Sequence, residues 1–264
     1  MMRSVLTKTL YDRRWFILGW AIAFMALTAL LASFFPAMKL SGLEELVKNM
    51  PPAFTGLIGD LGLLSAFDTY MASQLFDIRL PLISGIMAII LGLGLSSNEE
   101  EAGELRTTLA LPVSRTKVLL HKWLAIVSIA FVMVLAIAAG IFVVQPFIDG
   151  AALTLAEVAP LLGVSWLLMV AFGTIPFAAG MLSGRREVAM AVGVFVVIGS
   201  FILTTFGQAV DWLASFERLS LLYYFPANDI MRDGVNWPDT LVLGVITVGL
   251  LAVSLAIFRR RDIH

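Results

Sequence analysis

The sequence contains no cysteine and only two histidines, His121 and His264. The first absence excludes disulfides, thiol nucleophiles and metal sites built on cysteine. Charge is also scarce: Asp, Glu, Lys and Arg make up 14% of the chain, against roughly 25% in soluble domains. The net charge of −1 gives no reason to expect nucleic acid as a partner. Catalytic patterns are missing as well. There is no HExxH and no G-x-S-x-G elbow, because Leu167 stands where the closing glycine would follow Gly163-Val164-Ser165. There is no G-x-x-x-x-G-K-[ST] loop, so hydrolysis of nucleotide through that motif belongs to some other chain. An intramembrane enzyme would need a nucleophile–base pair or a metal set, and neither is legible. No metal site and no bound cofactor is expected.

What the chain has instead is apolar length. Of its 264 residues 59% are hydrophobic, and the mean hydropathy is +0.93. The polar residues are bunched between long apolar runs, the pattern of a polytopic membrane protein. Six runs are long enough to cross a bilayer, at about 15–35, 80–97, 123–144, 158–182, 188–206 and 240–258. The expected fold is therefore an all-α integral membrane protein of six transmembrane helices, a single transmembrane domain over 1–264. The first run follows a basic start, as in a signal peptide, but it exceeds the usual apolar core of a cleaved signal and five more runs follow, so it reads as a retained span.

The connections carry their own signals. Residues 1–14 set Val5, Leu6, Leu10 and Tyr11 near one helical face beside Arg3, Lys8, Arg13 and Arg14. That pattern suits an interfacial helix, and equally a basic flank that only sets topology. The loop over 36–78 is interrupted by Pro36, Pro51 and Pro52, with short helices expected at 41–49 and 65–76. Gly85, Gly92 and Gly94 in the second span permit close helix approach. Gly173 and Pro176 in the fourth predict a kink or a break. The 207–239 loop holds an aromatic stretch, with Tyr223, Tyr224, Phe225 and Trp237 suited to a membrane interface.

Thirteen of the 18 basic residues fall in the N-terminus, the 98–122 loop, the 183–187 turn and the C-terminus. The positive-inside rule then predicts both termini in the cytoplasm, and six spans return the chain to its starting side. The spans themselves hold almost no charge. Asp77, Arg79 and Glu157 sit at their mouths, which weakens an ion-coupled carrier as a reading.

The most charged stretch, 96–122, reads SSNEEEAGELRTTLALPVSRTKVLLHK. Glu99, Glu100, Glu101 and Glu104 open it. Acids there would favour a helix N-terminus by about 0.3–1 kcal/mol each, with no further role required. Leu105 and Leu109 stand four apart and form an apolar ridge, which either packs on the protein's own spans or docks into a groove on a partner. Pro112 ends the helix, and Lys117 and Lys122 suit the inner headgroups.

This stretch resembles the segment between the second and third spans of permease subunits of ABC-2 type ABC transporters. The match rests on Glu100, Glu101, Gly103 (one position early), Glu104, Leu105, Leu109, Pro112, Val113, Ser114, Arg115 and Lys122. The terminal Phe258-Arg259-Arg260-Arg261-Asp262-Ile263 and the Tyr224-Phe225-Pro226 stretch are similar too, and the six-span layout extends the resemblance over the whole chain. It implies two permease subunits, identical or paralogous, each over a separate ATP-binding subunit that carries the ATP and magnesium. Residues 98–115 would form the coupling helix, with the glutamates facing basic groups of the ATPase and Arg115 its acidic or backbone groups. The N-terminal helix would be the elbow helix, and the 207–239 loop would hold short re-entrant helices on the outer side. Family substrates range over drugs, antibiotics, lipids, polysaccharides and ions. The uncharged spans favour export of an amphipathic or hydrophobic compound across the inner (plasma) membrane. A transport path between paired subunits has apolar candidates in Phe24, Met25, Met87, Phe195 and Phe201, though each reads more readily as an ordinary packing or lipid-facing residue. The competing reading is a membrane scaffold or assembly subunit that docks a cytoplasmic partner without transport.

Overall fold

The computed structural model describes residues 4–40, 66–110, 113–207 and 210–261. Among the described residues there is no strand. Six helical stretches are long and apolar enough to cross a membrane: Arg14–Ala37, Phe67–Glu101, Arg115–Phe147, Leu155–Ser183, Arg186–Gly207 and Trp237–Phe258.

The chain opens with α1 (Val5–Asp12), where the Ser4 hydroxyl accepts from the Thr7 amide at 3.2 Å and satisfies one of the free donors at the helix start. α1 lies against the base of the third span, while Tyr11 stays exposed. The first span is α2 (Arg14–Ser33) with its extension α3 (Phe35–Leu40). The helix expected at 41–49 lies outside the described residues.

The second span is much longer than its apolar run. It begins with α4 (Phe67–Met71), widens into a π-helical stretch over Ala72–Arg79, and continues as α5 (Leu80–Gly94). The added turns carry Ser73, Gln74, Asp77 and Arg79, which interrupt the hydropathy and hid the span's true start. Several polar groups here are bonded internally: Ser73 Oγ donates to Asn228 Oδ1 at 2.9 Å, Arg79 Nη1 to Gln74 Oε1 at 2.8 Å, and the neighbouring Tyr70 Oη to the Leu31 carbonyl at 2.9 Å.

After α6 (Ser97–Glu101) and α7 (Glu104–Leu109), the third span α8 (Arg115–Val144) starts eight residues before its apolar run. Ser114 supplies the reason, capping the Lys117 amide at 3.3 Å, so the polar turns through Lys117 and Lys122 are already helical. At 1.5 Å per residue α8 is about 45 Å long, so it projects beyond a hydrocarbon layer of about 30 Å.

The fourth span, α9 (Leu155–Ser183), begins with a reciprocal cap between Thr154 and Glu157. The break allowed at Gly173 and Pro176 does not occur; the helix runs through both. α9 is the centre of the bundle, packed by the second, third, fifth and sixth spans. Its apolar window is 67% buried, against 17% in the first span and 22% in the fifth and sixth. Neighbours on every side tolerate the missing proline donor. Close approach has a visible cause: a Cβ on Gly92 would stand 2.7 Å from the Gly173 carbonyl oxygen and 2.8 Å from Pro176 Cγ. Trp123 Nε1 donates to Thr174 Oγ1 at 2.9 Å, fastening the third span to the fourth.

The fifth span is α10 (Arg186–Gly207) and the sixth is α13 (Trp237–Phe258). Between them lie the short helices α11 (Asp211–Ala214) and α12 (Ala227–Asp233) and two 3-10 turns. This connection is anchored by Ser220 Oγ, which donates to the Ser200 carbonyl at 2.9 Å and meets Thr204 Oγ1 at 2.7 Å. Leu222, Phe225 and Ile230 turn inward while Trp212 and Trp237 stay exposed.

Candidate functional site

The ends of the spans place α1, the α6–α7 connection, the turn at Gly184 and the C-terminal Arg261 on one face. The connection starts where α5 ends at Gly94, whose carbonyl accepts from the Arg13 guanidinium. α6 follows. At Gly103 the backbone takes φ +76°, a left-handed conformation that costs glycine little, and the chain turns into α7.

Three successive glutamates of α6 reach three different spans. Neighbouring residues on a helix are about 100° apart, so they cannot share a target. Glu99 pairs with Lys122 of the third span. Glu100 pairs with Arg261 beyond the sixth, in a two-pronged contact whose second prong, Nη1 to Oε2, is 3.1 Å. Glu101 accepts from the backbone amide of Arg186, the first residue of the fifth span, at 3.3 Å. A carboxylate at a helix N-terminus satisfies a free donor and complements the dipole.

Lys122 is only 2% exposed, so it is an internal tether and not the headgroup anchor that its position suggested. Its ammonium also donates to the Leu95 carbonyl at 3.3 Å. A lysine is tolerated at such depth because both interactions replace lost water. Arg261 is as densely committed. Nη1 donates to the Met181 carbonyl at 2.9 Å, and its own carbonyl accepts from the Arg115 guanidinium. Close by, Arg259 Nε donates to Thr116 Oγ1 at 2.9 Å. Gly184, at φ +65°, ends α9 directly under this guanidinium, and a Cβ there would overlap it.

The remaining candidates of the stretch are distributed as follows. Leu105 is completely buried, so of the two environments open to the leucine ridge it takes the protein's own core. Glu104 is exposed on α7. The side chain of Leu109 and the whole of Pro112 lie outside the described residues, as do Asp262 and Ile263 of the terminal motif. Beside α7 is a cleft of about 540 Å³ between α1 and the base of α8. Its lining includes the exposed Lys8, Asp12, Glu104 and Lys117 together with the buried Lys122–Glu99 pair. Among the described residues no three His, Asp or Glu side chains are grouped to hold a metal ion.

The five apolar candidates for a transport path divide by environment. Phe24 and Met87 are each 1% exposed, in the core, with Phe24 against Trp20 at 5.9 Å between ring centroids. Met25 and Phe195 face outward at 39% and 79% exposure, and Phe201 is half-buried. No single surface of the chain contains all five. The sequence does not mark Lys122, Arg261 or the Arg186 amide as partners of the glutamates. The available signal was three consecutive acids on the face that collects most of the chain's lysines and arginines.

Residues 4–259 match the family model described as Multidrug efflux system permease Rv1217c, C-terminal domain. No curated protein matches the chain.

Proposed function

We propose, from the premise that the chain belongs to the family of the multidrug efflux system permease Rv1217c, C-terminal domain, that it works as the membrane half of an ATP-driven exporter. That it is a multi-pass permease subunit follows from the family and from its six apolar helices. The proposal adds a separate ATP-binding subunit, which holds ATP and magnesium and presses on residues 98–115. It adds a second permease subunit, an amphipathic or hydrophobic cargo, and a plasma (inner) membrane setting with both termini in the cytoplasm. The uncharged spans support such a cargo, as does the matching family, that of a multidrug efflux system permease.

One observation carries the coupling. The α6–α7 connection is tied through Glu99, Glu100 and Glu101 to the third, sixth and fifth spans. A displacement imposed on it from the cytoplasm therefore moves three spans together. Glu104, exposed on α7, is the acid best placed for a basic group of the partner. Met25 and Phe195, on the first and fifth of the three sparsely buried spans, are the apolar candidates that a pairing surface would use.

The test is purification from gently solubilised native membranes, followed by reconstitution. Co-purification of a P-loop ATPase in fixed ratio, stimulated by an amphipathic compound, is the expected result. A folded permease that brings down no such ATPase would overturn the reading and favour a scaffold.

A further inference from the structure

We infer that Arg261 is a positioning residue for coupling: the C-terminal end of the sixth span clamps the α6–α7 connection, and the clamp sets how far a push on that connection travels. The inference rests on the coupling reading above and adds a residue that neither the resemblance nor the family assigns. Its basis is the concentration of contacts on one side chain. The Arg261 guanidinium joins α6 through Glu100 and the end of the fourth span through the Met181 carbonyl. The Arg261 carbonyl is held by Arg115 at the start of the third span. Three helices and the connection thus meet at one residue, three positions past the end of α13.

The pair is well shielded. The Arg261 side chain is 19% exposed and that of Glu100 is 9% exposed, so salt and water compete weakly for it. Arginine suits the role because its planar fork grips a carboxylate at two points and still has a donor for a carbonyl, whereas lysine offers one point charge. Gly184 completes the socket, since any side chain there would displace the guanidinium.

The sequence has no cysteine, so single cysteines can be labelled in the full-length chain without background. A spin label at Thr107→Cys, at an exposed position of α7, reports restraint of the connection in the permease alone. A second label at Leu241→Cys, at the far end of the sixth span, reports ATP-driven movement in the complex with the co-purified ATPase. Arg261→Ala should free the label at 107. It should also reduce the ATP-driven response at 241 several-fold while ATP hydrolysis continues. Arg261→Lys should restore part of both. Gly184→Ala should mimic the loss, and adding it to Arg261→Ala should cause little more, because both act on one contact. An unchanged label at 107 in Arg261→Ala would overturn the clamp. A freed label at 107 with a full response at 241 would overturn the positioning role. If no ATPase co-purifies with the wild-type protein, the coupling half fails with the reading above, and the label at 107 still decides the clamp.

Discussion

Lys122 and Glu99 form an ion pair at the base of the third span, with the lysine side chain 2% exposed and the glutamate 15%. Twenty-three residues separate them in the chain, and the pair closes the loop between the second and third spans. Removing one partner leaves a charge where water has little access. Lys122→Met should therefore cost about 3–5 kcal/mol of stability. Lys122→Met combined with Glu99→Leu should recover most of that loss, because no unpaired charge remains. Thermal unfolding of the purified protein in detergent gives both values. A single variant as stable as the double would contradict the pairing.

Leu105 and Glu104 are neighbours in sequence with opposite exposures. Leu105→Asp should destabilise the protein by on the order of 4 kcal/mol, because it buries an unpaired carboxylate. Glu104→Lys should leave the melting temperature unchanged and weaken ATPase co-purification. If Leu105→Asp folded normally and lost only the ATPase, the leucine would be a docking residue after all.

The glycines differ in what surrounds them. Gly92→Ala should cost about 1–3 kcal/mol, because the new methyl meets the Gly173 carbonyl and Pro176. Gly244→Ala, where nothing lies within 4 Å, should be neutral or gain up to about 1 kcal/mol from helix propensity. Parallel unfolding measurements check the contrast, and equal effects at the two sites would argue against the tight contact of the second and fourth spans.

Orientation can be read chemically. Single cysteines at Thr107 and at Leu219, which is 74% exposed in the connection before the sixth span, should label from opposite sides of intact cells. A membrane-impermeant maleimide should reach Leu219→Cys from outside and Thr107→Cys only after the cells are opened. The reverse pattern would put the termini outside.

The sequence alone determined the number of spans, and it carries the expectation of which side each end faces. Apolar run length and the distribution of lysine and arginine act locally, and the bilayer reads them residue by residue. Those signals failed where polar residues are helical. The helix expected at 65–76 is present, but its continuation through the π-helical turns over Ala72–Arg79 into the second span was hidden, as was the start of α8 at Arg115, because hydropathy marks the lipid boundary and not the helix end. The 96–122 stretch stood out by its charge, but the partners of its glutamates did not. They lie 23, 161 and 85 residues away in the chain for Glu99, Glu100 and Glu101. Only the packing of the spans around α9 brings Lys122, Arg261 and the Arg186 amide to one helix. The inward turn of Leu105 was decided in the same way. Its spacing to Leu109 allowed either side, and burial against the core selected one.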